Sequence, residues 1–275
     1  MTISEPQRSS EPFDSTLATQ IAERISAVEE NIAAAAERSG RQPSDVRLLP
    51  VTKFVEEEKL RIVAELGYRD LGESRVQELR TKSANLAGLG INWVLIGHLQ
   101  TNKAAQAARI VSEVQSVDSL KVAHALNNAV KRLASEAGVA FPSLSPQTAE
   151  SGSAHRNSRG LATPLKVLLQ VNTSGEDAKY GLAPDEVDAA LEEILTFPAL
   201  RVAGFMTMAP FTADTSVVRR TFADLRELRD RMAERYTGTL DLSELSMGMS
   251  GDYEIAVEEG ATTVRIGTTI FGKRN

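Results

Sequence analysis

A lysine closes the short apolar run VRLLPVTK (46–53). Low-dielectric walls disfavour an ammonium relative to the free amine, so Lys53 there suits nucleophilic Schiff-base chemistry on a carbonyl compound. A lysine in that place can also snorkel to solvent. The segment SMGMSGD (246–252) sets two glycines and two serines just before a helical pattern. Glycines allow close backbone approach, serines offer hydroxyls, and a helix start adds free N–H groups, which together suit a phosphate. A turn capped by Asp252 would use the same residues. Gly267-Thr268 offers a second set of backbone donors. Arg265 lies between Val264 and Ile266, so strand alternation turns it away from them. If those two face outward, Arg265 points inward and needs a partner: a phosphate, a ring nitrogen, or Glu73 in an internal ion pair. His98 ends another apolar run, where a hydrogen-bonded structural histidine fits as well as a catalytic one.

Other chemistries lack their residues. The chain has no cysteine, which removes disulfides, zinc–thiolate sites and thiol nucleophiles. Its three histidines assemble neither a Ser-His-Asp set nor a metal cluster. No G-x-G-x-x-G follows a strand pattern, so a dinucleotide site has no support. The formal net charge of -6 argues against a broad nucleic-acid or anionic-membrane surface. No apolar run approaches the ~18 residues of a membrane span. The polar start MTISEPQRSSEPFDS reads as a loose tail rather than a signal peptide, and cysteine-free composition fits the cytosol.

The elements that must position these residues alternate. Ile21, Ile25, Val28, Ile32 and Ala35 recur at helical spacing within 15–39, with Gly40 as the stop. Strand patterns follow at 46–53, 69–72, 92–99, 112–117, 165–172, 201–208, 242–247 and 262–268. Helical patterns separate most of them, at 56–66, 74–84, 101–109, 119–137, 184–195, 214–236 and 252–259. Pro50 counts against the first strand, and Pro184 suits a helix entry. Eight strand–helix units in a chain of 275 residues predict one α/β domain, a (β/α)8 TIM-type barrel with an extra N-terminal helix. That helix would cover the gap where a final helix is missing. The Ser/Pro/Gly-rich stretch 141–164 breaks the rhythm and reads as a mobile insertion. Barrel sites collect at the C-terminal strand ends, often with phosphate on the loops after strands seven and eight, which is where Lys53, SMGMSGD and Gly267-Thr268 fall.

The blocks PVTK (50–53), LGESRVQE (71–78), WVLIGHLQTNK (93–103), SVDS (116–119), VNTSGEDAKYG (171–181), GFMTMAP (204–210), LSMGMSGDYEIAVEEG (245–260) and VRIGTTIFGKR (264–274) stand in order. With them the chain resembles the pyridoxal phosphate homeostasis proteins, the PROSC-like or YggS-like family, over about residues 15–274. The resemblance implies a barrel of the alanine racemase N-terminal type. It would bind pyridoxal 5′-phosphate (PLP) as a Schiff base on Lys53 and serve vitamin B6 homeostasis. It places the phosphate on Ser246, Met247, Gly248 and Met249, joined by Gly267 and Thr268, and sets Arg265 near the cofactor. Glu73, Ser74, His98, Asn172 and Met206 would surround it. Two positions depart from the family: Ser74 stands where Asn is usual, and Val94 where His is usual. The resemblance favours a cytoplasmic monomer whose partners include PLP-dependent apo-enzymes. The chain has no room for the β-rich second domain of the racemases, and Tyr68, Tyr180, Tyr236 and Tyr253 supply no evident second acid/base, so holding PLP is favoured over turnover. A weak amino-acid racemase or other fold-type III enzyme is the alternative, and a cofactor-free Schiff-base phosphosugar aldolase is another.

Overall fold

The computed structural model describes residues 15–138, 141, 163–176 and 180–272. The expected tail at 1–14 and nearly all of the expected insertion at 141–164 lie outside the described residues. Eight parallel strands form the sheet: β1 (Arg47–Pro50), β2 (Asp70–Glu73), β3 (Asn92–Leu95), β4 (Val111–Val117), β5 (Leu165–Gln170), β6 (Leu200–Met206), β7 (Glu244–Ser246) and β8 (Thr263–Ile266). Helices α2 (Glu57–Glu65), α3 (Val76–Asn85), α4 (Ala104–Ala108), α5 (Leu120–Glu136), α6 (Val187–Ile194), α7 (Thr215–Arg235) and α8 (Tyr253–Glu258) connect them. Helix α1 (Ser15–Arg38) precedes the sheet and α9 (Thr268–Phe271) follows it. The order β1-β8-β7-β6-β5-β4-β3-β2 wraps the sheet into a nearly closed (β/α)8 barrel. Among the described residues, no helix is long and apolar enough to cross a membrane.

Pro50 accounts for the thin seam in that barrel. In β1, Arg47 and Val51 donate their N–H groups towards β8, while Thr52 donates to Gly72 O of β2 at 2.8 Å. Alternation puts the missing N–H of Pro50 on the β2 side, where it deletes one ladder bond. Closure between β1 and β2 therefore rests on the Val51–Gly72 bridge and the Thr52 bonds.

The strands alternate as their sequence predicts. Val264 and Ile266 join the core beneath the helices, and Arg265 turns into the barrel. Trp93 and Leu95 likewise pack outward, which leaves Val94 inside, in register with Glu113. Met206 lies inside the barrel in a small apolar cluster with Leu168 and Ala203. Helix α1 buries its Ile21–Ala35 stripe and packs on α8, α2 and α9. It fills the place that the four-residue α9 is too short to fill, as expected. Gly40 ends α1 in the left-handed region at φ 70°. Ser119 caps α5 by accepting the Val122 N–H, whereas Pro184 lies in a turn before α6 rather than in its first turn.

Candidate functional site

Lys53 stands just past β1 and is half-buried. Its ammonium lies 5.5 Å from the Phe54 ring centroid, and the Arg75 guanidinium covers the same ring at 4.5 Å. A cavity of about 480 Å³ opens beside it, lined by Val51, Lys53, Phe54, Lys59, Gly267 and Thr268 among others. Lys53 and the start of α9 thus face one space, as their strand-end positions predict.

Below Lys53 lies a buried polar cluster. Lys82 Nζ donates to the Thr52 carbonyl at 2.7 Å, to Glu73 Oε2 at 2.7 Å and to Glu78 Oε2 at 3.0 Å. Glu73 is fully buried and also accepts from Thr52 Oγ1 at 3.1 Å and from the Ser74 N–H at 2.6 Å. The expected alternative of an Arg265–Glu73 pair is therefore corrected: Lys82 takes Glu73. Neither Lys82 nor Glu78 stood out in the sequence. The available signal was their i,i+4 spacing on α3, with Lys82 on its buried face.

Arg265 is 4% exposed and donates to Ser246 Oγ at 2.8 Å and to the Thr207 carbonyl at 2.8 Å. Among the described residues no carboxylate forms an ion pair with it. Burial pushes its pKa down to about 10, opposed only by the nearby charge of Asp252. The Ser246 hydroxyl in turn donates to Gln115 Oε1 at 2.7 Å. Its oxygen and its proton thereby link Arg265 to Gln115.

The loop after β7 turns back on itself. Met247 is buried in the outer core and its N–H donates to Thr263 O. Gly248 has φ +91°, and a Cβ there would meet Ala256 Cβ at 2.6 Å. Asp252 sits at the N-cap position of α8, but its carboxylate accepts the Met249 N–H at 2.6 Å instead of capping the helix. Burial raises that carboxyl above its ordinary value, against the Met249 bond and the Arg265 charge. Met249 is partly exposed. Among the described residues, the N–H groups of Gly248, Gly267 and Thr268 have no backbone or side-chain acceptor.

The remaining candidates lie elsewhere on the rim. His98 Nδ1 is 2.6 Å from Asp118 Oδ2, and its ring stacks on Tyr180 with centroids 4.0 Å apart. This set ties the segments after β3, β4 and β5 together, apart from the Lys53 cavity. Asn172 bonds within its own loop, donating to Glu176 O and accepting from Ser174. Ser74 packs its backbone on Gly97, where a Cβ would lie 2.2 Å from Ser74 O. Val94 faces into the barrel one residue before the end of β3, in register with Gly72 and Glu113.

The residues fit a phosphorylated aldehyde. A half-buried amine faces unpartnered backbone donors across one cavity, and a buried guanidinium without an ion pair stands behind the β7 loop.

The alanine racemase N-terminal domain model matches residues 24–275. The chain is 39% identical over 255 residues to the pyridoxal phosphate homeostasis protein of Pseudomonas aeruginosa, covering 93% of this chain and 96% of that one. It is 37% identical over 252 residues to the protein of the same name from Aquifex aeolicus, covering 92% and 97%. Among solved structures it is similar to PipY of Synechococcus elongatus with PLP bound, at TM-score 0.71 and 30% identity, covering 92% of this chain and 100% of that one. An alanine racemase of Clostridium difficile in complex with cycloserine shares the fold, at TM-score 0.64 and 12% identity, covering 93% of this chain and 60% of that one.

Proposed function

This chain belongs to the pyridoxal phosphate homeostasis proteins, within the alanine racemase N-terminal domain family, and from that premise we propose that it binds PLP covalently through Lys53 and serves intracellular vitamin B6 homeostasis. One observation carries the reading most: the Lys53 amine and the free N–H groups of Gly267 and Thr268 line one cavity. When bound, PLP supplies an aldehyde that condenses with a primary amine, forming a C=N bond and releasing water. Lys53 provides that amine. The Gly248, Gly267 and Thr268 N–H groups hold the phosphate, and Met247 and Met249 fix the shape of the loop between them. Arg265, steadied by Ser246 and Thr207, presents a buried hydrogen-bond donor to the ring of the ligand.

Holding rather than turnover is the reading that the tyrosines support. Directed chemistry at an amino acid needs a second acid/base placed at the reacting carbon. Tyr68 bonds to Glu29 and Tyr253 to Asn31 of α1, and Tyr236 bonds to Asp188 of α6, each partner on an outer helix. Tyr180 is stacked on His98 at the opposite part of the rim. We place this monomeric function in the cytoplasm, with PLP-dependent apo-enzymes as recipients.

The test is reduction with borohydride after loading, followed by peptide mapping. A pyridoxyl group on the Lys53 peptide is expected. Lys53→Ala should lose the covalent absorption band while keeping a cooperative melt. Label confined to another lysine, or a protein that stays colourless with PLP, would sink the reading; the colourless outcome is the one a cofactor-free aldolase gives.

A further inference from the structure

The two peptide groups that flank Lys53 are both gripped by one face of α3. The peptide before Lys53 is held by its carbonyl, since Thr52 O accepts from Lys82 Nζ at 2.7 Å. The peptide after it is held by its N–H, since Phe54 N donates to Glu78 Oε2 at 3.0 Å. The φ and ψ of Lys53 are the rotations between those two planes, so fixing both planes fixes the direction in which its side chain leaves the backbone. The grip is closed, because Lys82 and Glu78 bond each other at 3.0 Å. Its root is Glu73, fully buried and 2.7 Å from Lys82. With Thr52 O, Glu73 and Glu78 as acceptors, the three donors of the Lys82 ammonium are all used.

The backbone records the constraint. Phe54 has φ +59°, the one positive value of a non-glycine residue among the described residues. A bulky side chain adopts that region only when its surroundings hold it there. Although burial alone would raise the Glu78 carboxyl, the Phe54 N–H and the Lys82 ammonium hold it below its ordinary value, so the acceptor stays ionised.

We propose that Glu78 and Lys82 are positioning residues for covalent capture of PLP: they clamp the backbone on both sides of Lys53 and aim its amine at the aldehyde. The proposal rests on the assignment of Lys53 as the attachment point. A clamp of this kind acts on bond formation, not on the phosphate or ring contacts. It therefore separates PLP from pyridoxine 5′-phosphate, which has an alcohol in place of the aldehyde and forms no C=N bond.

The experiment compares wild type, Glu78→Ala, Glu78→Gln and Lys82→Arg. Stopped-flow absorbance gives the rate of PLP capture, and equilibrium titration gives the affinity for each ligand. Small misplacements of a reacting group cost up to about a hundredfold. Glu78→Ala should slow capture and weaken PLP by roughly ten- to a hundredfold, with pyridoxine 5′-phosphate essentially unaffected. Glu78→Gln, whose amide oxygen still accepts the Phe54 N–H, should recover most of the rate. Lys82→Arg keeps the charge beside Glu73 but not the single-point contact to Thr52 O. It should show the same selective loss, and carries the test alone if Glu78→Ala does not fold. Wild-type capture rates in the variants, or equal losses for both ligands, would overturn the clamp. If instead Lys53 is not the attachment point, wild type itself yields no adduct on it, which marks a different failure.

Discussion

The Ser246 hydroxyl donates its one proton to Gln115 Oε1 at 2.7 Å, and its oxygen accepts from Arg265 at 2.8 Å. Gln115 Nε2 then donates to Glu113 Oε1 at 2.6 Å, so Arg265 is the top of a hydrogen-bonded file that ends on a buried carboxylate. Hydrogen bonds to charged groups contribute about 1.5–3 kcal/mol. Ser246→Ala removes an acceptor from Arg265 and should weaken PLP and pyridoxal alike, each by roughly tenfold. Titration with both ligands checks this. A loss confined to PLP would mean that the hydroxyl serves the phosphate after all. The type and strand-end place of Ser246 were legible in the sequence. Its partner was not, because Gln115 lies on β4 and only barrel closure brings it near. The same holds for Lys53: its position was legible, but the residues that fix its backbone lie 25 and 29 positions further on, inside a helix that reads as ordinary amphipathic surface.

The loop from β7 to α8 shows what an element adds. Gly248 combines φ +91° with 2.6 Å between its would-be Cβ and Ala256 Cβ, so any side chain there must open the turn. Strained backbone of this kind costs about 1–3 kcal/mol, and Gly248→Ala should lower the melting temperature accordingly. Because the Gly248 N–H is one of the proposed phosphate donors, this variant should also weaken PLP more than pyridoxal, the opposite pattern to Ser246→Ala. Equal weakening by Gly248→Ala would remove that amide from the phosphate site. All eight strands were legible in the alternation with helical patterns, and each observed strand overlaps its expected segment, with β2, β4 and β6 each running one residue beyond it. Their ends were less so. The first strand was expected at 46–53; its regular ladder with β8 covers Arg47–Pro50, and only single bonds from Val51 and Thr52 continue the pairing to the turn at Lys53. Alternation correctly turned Arg265 inward, since Val264 and Ile266 carry the outward signal. It could not choose among Arg265's possible partners.

At the scale of the whole molecule, the floor of the barrel is an ion layer that closes the end opposite the site. Arg47 contacts Asp70 at 3.1 Å and Glu113 at 3.0 Å, and Lys166 contacts Glu113 at 3.2 Å and also pairs with Glu244. These residues come from β1, β2, β4, β5 and β7, so the layer exists only when the barrel is closed. Sequence alternation places each of them on the inner face but does not say which charges meet. Glu113 is the hub. Burial opposes its ionisation, yet Arg47 and Lys166 hold its carboxyl down at about 2, against an ordinary value of 4.5. A carboxyl depressed in the folded state binds protons more readily in the unfolded chain. Its contribution is therefore complete above about pH 4.5 and drains away as pH falls towards 2. That contribution is about 3 kcal/mol at most. Glu113→Gln keeps the shape while leaving Arg47 with Asp70 and Lys166 with Glu244, so the variant should fold. It should be less stable at neutral pH by an amount of the same order, and it should lose less stability than wild type between pH 4.5 and 2. Urea unfolding at a series of pH values measures both effects. Parallel wild-type and variant curves through that window would mean that acid sensitivity arises elsewhere, and that the floor of the barrel is held by packing rather than by its charges.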